Sequence, residues 1–441
     1  MRDAPWEGRR LHFVGIGGAG MQGWALVSRE LGATVSGSDR EESPALAMLR
    51  ENGIAAVAGH GEANVPAGDD VELVVSTAIP PENPELACAG ERGLRVMPRA
   101  ELLGELTALR RTIAVAGAHG KTTTTSMIAH VLAGAGLDPG YLIGGTMAGT
   151  GRNAAWGSGP WLVVEADESD RSLLALDVEI AVLTNVELDH HSTYRSEDEL
   201  RGVFAEFLGG APQAVIVDEP SVLALRGGAP YVTFDPRPVD TAGGRAAFRW
   251  RGLEVELAVP GEHNAWNAAA ALEAASLAGV AEEEAVRAIG SFTGAGRRFE
   301  ELGRSAGGAL VIDDYAHHPT EVAAAVAAAR TRDPGRLVAV FQPHLFSRTE
   351  ELAGRFGEAL AGADLVVVVD IYPSRESAAD FPGVTGGMVA EAASAAGAEV
   401  EWVPAMEDAT IRLQALLGPD DLCLVMGAGD VRALGENLVS G

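Results

Sequence analysis

The run Ile113-Ala-Val-Ala-Gly-Ala-His-Gly-Lys-Thr-Thr-Thr-Thr125 carries the residue types that hold a polyphosphate. Gly117 and Gly120 let the backbone approach an anion, Lys121 supplies a mobile point charge, and the Thr122 hydroxyl next to it can hold Mg²⁺. Ala118, His119 and Thr123 complete the loop. The apolar residues 113–116 predict a buried strand, and residues 121–125 open a helix whose free N–H groups face the same ligand. Four consecutive threonines weaken helix propensity at that spot. The 33 basic residues are 32 arginines and a single lysine, Lys121. A chain that otherwise uses arginine keeps an ammonium where a rigid guanidinium fork differs chemically. Val115 stands where GxxxxGK[ST] has its first glycine, so the loop is a shorter variant.

Other candidates also sit where apolar runs end. Residues 161–165 predict a strand that ends in Glu165, followed at once by Asp167, Glu168 and Asp170. A carboxylate placed there is suited to a nucleotide-bound Mg²⁺. Which of the three following acids has a role stays open, and a solvated acidic loop accounts for at least one of them. Residues 180–184 predict another strand, leading into Asn185-Val-Glu-Leu-Asp-His190-His191; His190 is either a second metal ligand or a surface histidine. Residues 253–259 alternate as a strand, and Asn264 and Asn267, three apart at the start of an Ala-rich helix, present two amides to one side, suited to the edge of a base. N-capping would explain Asn264 alone.

Ahead of this loop, residues 11–14 predict a strand, Gly15-Ile-Gly-Gly-Ala-Gly20 satisfies GxGxxG, and a helix follows over 21–31. A second strand over 34–37 leads to Ser38-Asp39, an acid about 20 positions beyond the glycines. This is a Rossmann-type nucleotide signature built on Gly17, Gly18, Ala19, Gly20 and Asp39. Residues 71–76 form a further strand, and Ser76, Thr77 and Ala78 follow at the edge where ligands lie in an open α/β sheet, although ordinary turn chemistry gives the same residues. His60 could touch a phosphate or be merely solvated. Beyond Gly294 to Gly296, strands over 309–312, 337–341, 365–369 and 422–425 alternate with helices starting near Pro319, Glu350, Val384 and Glu407. Polar clusters follow the strands here too, among them Asp313-Asp-Tyr-Ala-His-His318 and Gln342-Pro-His-Leu-Phe-Ser-Arg348.

The elements that must position these residues make an α/β protein of three domains: a Rossmann-like N-terminal domain (1–108), a central P-loop ATPase-like domain (109–295) and a C-terminal Rossmann-like domain (296–441). At roughly 150 residues per domain, 441 residues are enough for three cores. The formal net charge of −29 excludes a nucleic-acid partner, since no basic stripe offsets it, and requires that anionic ligands be held by local charge. Two cysteines far apart in sequence, Cys88 and Cys423, match no metal or redox spacing and predict free thiols. Neither a signal-like segment nor an apolar stretch near 18 residues occurs, so the expectation is a cytoplasmic protein without membrane insertion. Monomer and homodimer both stay open.

In order along the chain, HFVGIGGAGM, GAHGKTTTT, VEADESD, LTNVELDH, GEHNAWNAAAA, GAGRRFE, DDYAHHPTE and QPHLFSRT resemble the Mur ligases, over all three segments. VEADESD with DDYAHHPTE is similar to the member that joins L-alanine to UDP-N-acetylmuramate in peptidoglycan precursor synthesis. The resemblance implies an ADP-forming amide synthesis: a substrate carboxylate attacks the γ-phosphate of ATP, and the amine of L-alanine then attacks the acyl phosphate. It further implies that Lys121 and the loop amides stabilise the transferring phosphoryl group, and that Thr122, Glu165 and His190 bind Mg²⁺ or Mn²⁺. Asn264, Asn267, Arg298 and Asp314 would meet the nucleotide. The first segment would bind the UDP-sugar through its glycine loop, Asp39 and the loop from Ser76, and Tyr315, His317, His344 and Arg348 would position the carboxylate and the amino acid. Ala118 and Leu345 depart from the usual hydroxyl and Arg of the family at those places.

An NAD-dependent dehydrogenase would account for GIGGAG and Asp39 but not for a separate phosphate loop. A non-enzymatic nucleotide-binding regulator would not need the His and Arg clusters of the third segment, and a Mur-type ligase with a different amino acid is the nearer alternative. Several members of the family use a carbamylated lysine beside the second metal. Residues 199–206 offer no lysine, and arginine cannot be carbamylated.

Overall fold

The computed structural model describes residues 4–440 apart from residues 77, 148, 189–192 and 229; the side chain of residue 19 is also outside the described set. The chain divides into two compact units, Met1–Asp235 with Asn267–Ile289, and Pro236–Trp266 with Gly290–Gly441. Each holds parallel sheet covered by helices, the arrangement that near-continuous Val/Ile/Leu/Ala strands require.

The first unit has two sheets. In one, β1 (Arg10–Val14), β2 (Thr34–Asp39), β3 (Ala55–Ala58), β4 (Val71–Val75) and β5 (Arg95–Pro98) lie in the order β3-β2-β1-β4-β5, all parallel. Helices α1 (Ala19–Glu30), α2 (Pro44–Glu51), α3 (Pro84–Arg92) and α4 (Arg99–Thr107) link them. The order reverses at β1, the switch point beside which ligands bind in such sheets. Helix α3 starts where the sequence says it should: the Asn83 side chain accepts from the Glu85 N–H at 2.9 Å, and Pro84 occupies the first turn.

The second sheet contains β6 (Arg111–Ala116), β7 (Gly140–Leu142), β8 (Ala154–Ala155), β9 (Trp161–Glu165), β10 (Ile180–Leu183), β11 (Gln213–Val217) and β12 (Tyr231–Phe234), ordered β12-β11-β10-β6-β9-β7-β8. Only β7 and β8 pair antiparallel. Helix α5 (Lys121–Gly134) follows β6, and α6 (Glu197–Gly210) and α7 (Pro220–Leu223) follow later strands. On α5, Met127, Ile128, Val131 and Leu132 are fully buried, each worth about 1.5–3 kcal/mol of burial. Its hydroxyls are satisfied internally, Thr125 donating to the Lys121 carbonyl and Ser126 to that of Thr122, both at 2.8 Å. That is how a threonine-rich run stays helical and buried.

The second unit contains the hairpin β13 (Ala246–Trp250) and β14 (Leu253–Leu257). Helix α8 (Glu262–Leu277) begins there and runs on into the first unit, where α9 (Glu282–Ile289) follows. The sheet of the second unit has the order β15-β16-β20-β17-β18-β19, with β15 (Glu300–Arg304), β16 (Leu310–Asp314), β17 (Arg336–Phe341), β18 (Leu365–Val368), β19 (Val400–Trp402) and β20 (Asp421–Met426). Helices α10 (Pro319–Arg330), α11 (Phe346–Leu360), α12 (Gly387–Ala395), α13 (Met406–Leu416) and α14 (Arg432–Ser440) cover it. One core cluster here joins Val322, Phe341, Phe356, Val389 and Met426.

Two boundaries differ from the expected ones for local reasons. Helix α11 starts at Phe346 rather than near Glu350, because Leu345, at φ 71°, turns the chain and its carbonyl accepts the first helical bond, from Thr349. Strand β16 runs through Asp314, so Asp313 and Asp314 lie inside the sheet rather than in a polar loop after it. Both cysteines are free thiols, and burial pushes Cys423 up to about 12. Among the described residues no helix is long and apolar enough to cross a membrane.

Candidate functional site

The turn after β6 requires both of its glycines. Gly117 has φ 133° and a Cβ there would collide with the Thr184 hydroxyl; Gly120 has φ 83° and faces the Asn267 side-chain oxygen just as closely. The end of β10 clamps this turn. Thr184 Oγ1 and Asn185 Nδ2 donate to the His119 carbonyl at 2.7 and 2.8 Å, and the His119 N–H donates to Asn185 Oδ1 at 3.0 Å. The His119 ring lies 3.0 Å from Glu187. Asn267, expected to meet a base, accepts from Thr124 at 3.3 Å. In the other unit the amide of Asn264, inside the first turn of α8, donates to the Pro260 carbonyl at 2.7 Å, which is not an N-cap bond, since a cap accepts from a backbone N–H.

Lys121 is held by three acceptors: the carbonyls of Gly117 (2.6 Å) and Ala118 (3.3 Å) and Glu168 Oε1 (2.9 Å). Burial alone would depress its pKa, but Glu168, then Asp167 and Glu165, outweigh burial and raise it, so the ammonium stays charged. The three acids of the loop have different partners. Glu168 is buried against Lys121, whereas Asp167 and Asp170 both pair with Arg99, at 3.2 and 2.6 Å, and cap the backbone of Ser169 and Ser172. The Arg99 guanidinium also lies 5.5 Å from the Trp24 ring centroid. Tyr194 donates to the Glu168 carbonyl, and burial pushes its hydroxyl up to about 12.

Thr122 and Glu165 lie where the strand and loop pattern put them. The Thr122 hydroxyl is 2.9 Å from Glu165 Oε1, and Glu165 Oε2 accepts from the Gly144 N–H at 2.6 Å. Hydroxyl and carboxylate together are a hard-oxygen donor set that fits Mg²⁺. His190 lies outside the described residues, as does Thr77.

Around the first sheet, Asp39 braces the glycine loop. Its Oδ2 accepts from the Gly17 N–H at 2.7 Å and its Oδ1 from the Arg40 N–H, while the Ser38 carbonyl accepts from Gly15 and Ile16. Gly18 caps α1 with no side-chain bond, and Gly20 lies in its first turn. Ser76 Oγ accepts from the Ala78 N–H at 3.2 Å, as in an ordinary turn. Sequence reasoning missed Glu85, which no motif marks beyond a helix start. Fully buried, it accepts from His12, Ser38, Gly61 and Asn64 at 2.7–3.2 Å. Burial raises a carboxylate's pKa, but these four bonds win and lower it to about 2. A depressed folded-state value contributes stability that is present above 4.5 and lost as pH falls toward 2. Glu85→Gln is therefore expected to be less stable than wild type at neutral pH, with a gap that narrows over that acid window; chemical denaturation at several pH values reads it.

In the second unit, Arg297 and Arg298 lie over the Tyr315 ring at 4.8 and 5.3 Å. The His317 ring meets Tyr315 edge-on at 5.2 Å and His344 at 6.1 Å, and His344 stacks on Tyr372 at 5.8 Å. Arg348 Nη1 is 3.5 Å from His344 Nδ1. Burial, then His317 and Arg348, lower the His344 pKa to about 4, so this ring is neutral at physiological pH. Asp314 accepts from the Phe299 and Ala316 N–H groups, and burial pushes it up to about 6. The structure thus brings Tyr315, His317, His344 and Arg348 together, while Asp314 sits beneath them as a backbone brace. Tyr372 joins them unforeseen, because its place depends on a strand end far along the chain.

A phosphate loop with one lysine, an oxygen donor pair for a metal, and nucleotide-type parallel sheets define a nucleotide-dependent enzyme of the P-loop class. Three stretches match the family in turn: "Mur ligase family, catalytic domain" over residues 10–111, "Mur ligase middle domain" over 115–275 and "Mur ligase, glutamate ligase domain" over 297–429. The chain belongs to the Mur ligase family. It is 44% identical to the UDP-N-acetylmuramate–L-alanine ligase of Acidithiobacillus ferrooxidans, over 97% of this chain and 96% of that one. It is 45% identical to the protein of the same name from Renibacterium salmoninarum, over 98% and 95%. The crystal structure of UDP-N-acetylmuramate–alanine ligase from Thermotoga maritima superposes with a TM-score of 0.82 at 28% identity, covering 97% of this chain and 98% of that one. A murein peptide ligase from Psychrobacter arcticus superposes less well, with a TM-score of 0.72 at 25% identity over 98% of both chains.

Proposed function

We propose that this chain is the ATP-dependent ligase that joins L-alanine to UDP-N-acetylmuramate in the cytoplasm, releasing ADP and phosphate. The observation that carries this reading is the single lysine held inside the glycine turn beside Glu168, with Thr122 and Glu165 adjacent. Relatives of that name at 44–45% identity over nearly the whole chain support the choice of substrates. Lys121 and the loop N–H groups hold the transferring phosphoryl group, and the Gly117 and Ala118 carbonyls keep the ammonium on that spot. Thr122 and Glu165 would hold Mg²⁺, which when bound neutralises charge on the phosphates. Residues 1–108 take the UDP-sugar, 109–295 the ATP, and 296–441 the amino acid. There Arg348 supplies the charge for a carboxylate, and Tyr315, His317 and neutral His344 line the same place.

The experiment is coupled ADP release with UDP-N-acetylmuramate and each of L-alanine, glycine and L-serine. Release that needs both the sugar nucleotide and L-alanine is the expected result. Release with neither, or only with a peptide in place of L-alanine, would overturn the assignment. Because no lysine other than Lys121 exists to be carbamylated, activity is expected to be unchanged by adding or stripping bicarbonate at fixed pH. His190→Ala is expected to raise the Mg²⁺ requirement, since His190, water and substrate oxygens would then hold any second ion. A carbamate mass adduct on the active enzyme would contradict this.

A further inference from the structure

The acids at the end of β9 outnumber the cation they surround. Four carboxylates, Glu165, Asp167, Glu168 and Asp170, stand within six positions of the chain, beside a loop whose one ammonium, Lys121, is to receive an anion. Glu168 is 2.9 Å from that ammonium, and Asp167 lies near enough to act on it as well. A triphosphate carries the same sign as all four acids, so each carboxylate left unbalanced there works against it. In a protein of net charge −29 the balance has to be built locally.

Arg99 supplies it from a distant part of the chain. Its guanidinium forks onto two of the acids: Nε is 2.7 Å and Nη2 2.6 Å from Asp170 Oδ2, and Nη2 is 3.2 Å from Asp167 Oδ2. The guanidinium also lies 5.5 Å from the ring centroid of Trp24 on α1, a nearly buried side chain that closes on Gly20. Edges and face are thus both engaged, a use that a guanidinium allows and an ammonium does not. Helix α4 gives no reason for this cation. Arg99 is its first residue, after Pro98, and a positive charge at a helix N-terminus opposes the dipole.

The second oxygen of each aspartate is engaged within its own turn. Asp167 Oδ1 accepts from the Ser169 N–H at 2.9 Å and Asp170 Oδ1 from the Ser172 N–H at 3.0 Å. Between them the Glu168 carbonyl accepts from the Arg171 N–H at 3.1 Å and from the Tyr194 hydroxyl. Both aspartates are therefore turned onto Arg99 and the backbone, while the Glu168 side chain reaches Lys121.

We propose that Arg99 is a positioning residue for the ATP site: it neutralises Asp167 and Asp170 and holds them on their turn, so that Glu168 is the acid that bears on Lys121 and the triphosphate meets less negative charge. This rests on the reading that ATP binds at the phosphate loop.

The test measures binding of MgATP by calorimetry to the full chain and its variants, with adenosine as a competitor. Arg99→Gln is expected to weaken MgATP about tenfold or more and to leave adenosine within about twofold, because an uncharged nucleoside is indifferent to the two carboxylates. Adding Asp167→Asn and Asp170→Asn to Arg99→Gln removes both charges and leaves amide oxygens to accept from Ser169 and Ser172. MgATP affinity is then expected to return to within about threefold of wild type. An arginine needed only to pack α4 against the acidic loop would not be replaced by two amides. If Arg99→Gln alone does not fold, the triple variant still decides: binding near wild type supports the proposal, and a triple variant that is unfolded, or that binds MgATP about tenfold more weakly than wild type, overturns it. Equal losses for MgATP and adenosine, or unchanged MgATP affinity in Arg99→Gln, would overturn it too. If the wild-type chain binds no MgATP, the assigned site fails and this inference with it. If wild type binds MgATP and turns over L-alanine while Arg99→Gln binds MgATP as tightly, the inference alone fails.

Discussion

Lys121→Arg is expected to retain less than about a tenth of wild-type kcat, a barrier increase of at least about 1.4 kcal/mol. The ammonium sits where three acceptors converge, at 2.6 Å from the Gly117 carbonyl, 3.3 Å from that of Ala118 and 2.9 Å from Glu168. A compact ammonium can turn its three protons among those oxygens and an incoming phosphate. A planar guanidinium is larger, fixes its donors in one plane, and has to enter a turn that leaves no room for a Cβ on its glycines beside Thr184 and Asn267. Charge is kept and geometry is lost, so the substitution separates the two. The check is steady-state turnover with saturating substrates, beside a thermal melt to show that the variant is folded. Turnover above a tenth would mean that positive charge alone is what the loop needs.

The second large effect belongs to Glu165→Ala, for which a fall in kcat/KM of roughly a thousandfold is expected, the scale of losing a principal electrostatic element of phosphoryl transfer. Glu165 ties together the Thr122 hydroxyl at 2.9 Å and the Gly144 N–H at 2.6 Å, and in the proposed reading its oxygens would also hold Mg²⁺ on the nucleotide. Thr122→Ala, which would delete a neutral ligand, should cost less, roughly tenfold, and the double variant should be little worse than Glu165→Ala alone if both hold one ion as proposed. Titrating Mg²⁺ in each variant is the decisive measurement, since loss of a ligand shifts the requirement upward. A Glu165→Ala enzyme with wild-type Mg²⁺ dependence would show that this carboxylate serves only to hold Gly144.

Much of the architecture was legible along the chain. Parallel strands buried on both faces read as apolar runs, and the runs ending at Val14, Ala116, Glu165 and Phe341 fell within two residues of the observed strands. The candidate residues at their ends stood out for the same reason, because in this kind of sheet ligands meet the strands at the edge where apolar residues give way to polar ones. Lys121, Thr122 and Glu165 were singled out this way and lie together in the structure, two of them adjacent and the third on the neighbouring strand. Illegible were partners whose closeness depends on strand order rather than on sequence distance. Asp167, Glu168 and Asp170 look alike in a row, yet one faces Lys121 and the other two face Arg99.

The sequence by itself determined the element types, the phosphate loop, the absence of a second lysine and the order of the family's motifs, all of which are set by local spacing and residue chemistry. Only the tertiary structure decided what each polar side chain is turned toward. It made Asp39 a brace for Gly17, placed Asp314 under backbone N–H groups inside a strand, and stacked His344 on Tyr372. It also joined His12, Ser38 and the half-buried His60 to the fully buried Glu85 in one network. The physical reason is that a buried carboxylate or imidazole must be satisfied by whichever donors the sheet order brings within about 3 Å, and residues 73 positions apart, such as His12 and Glu85, meet only once the strands have taken their places.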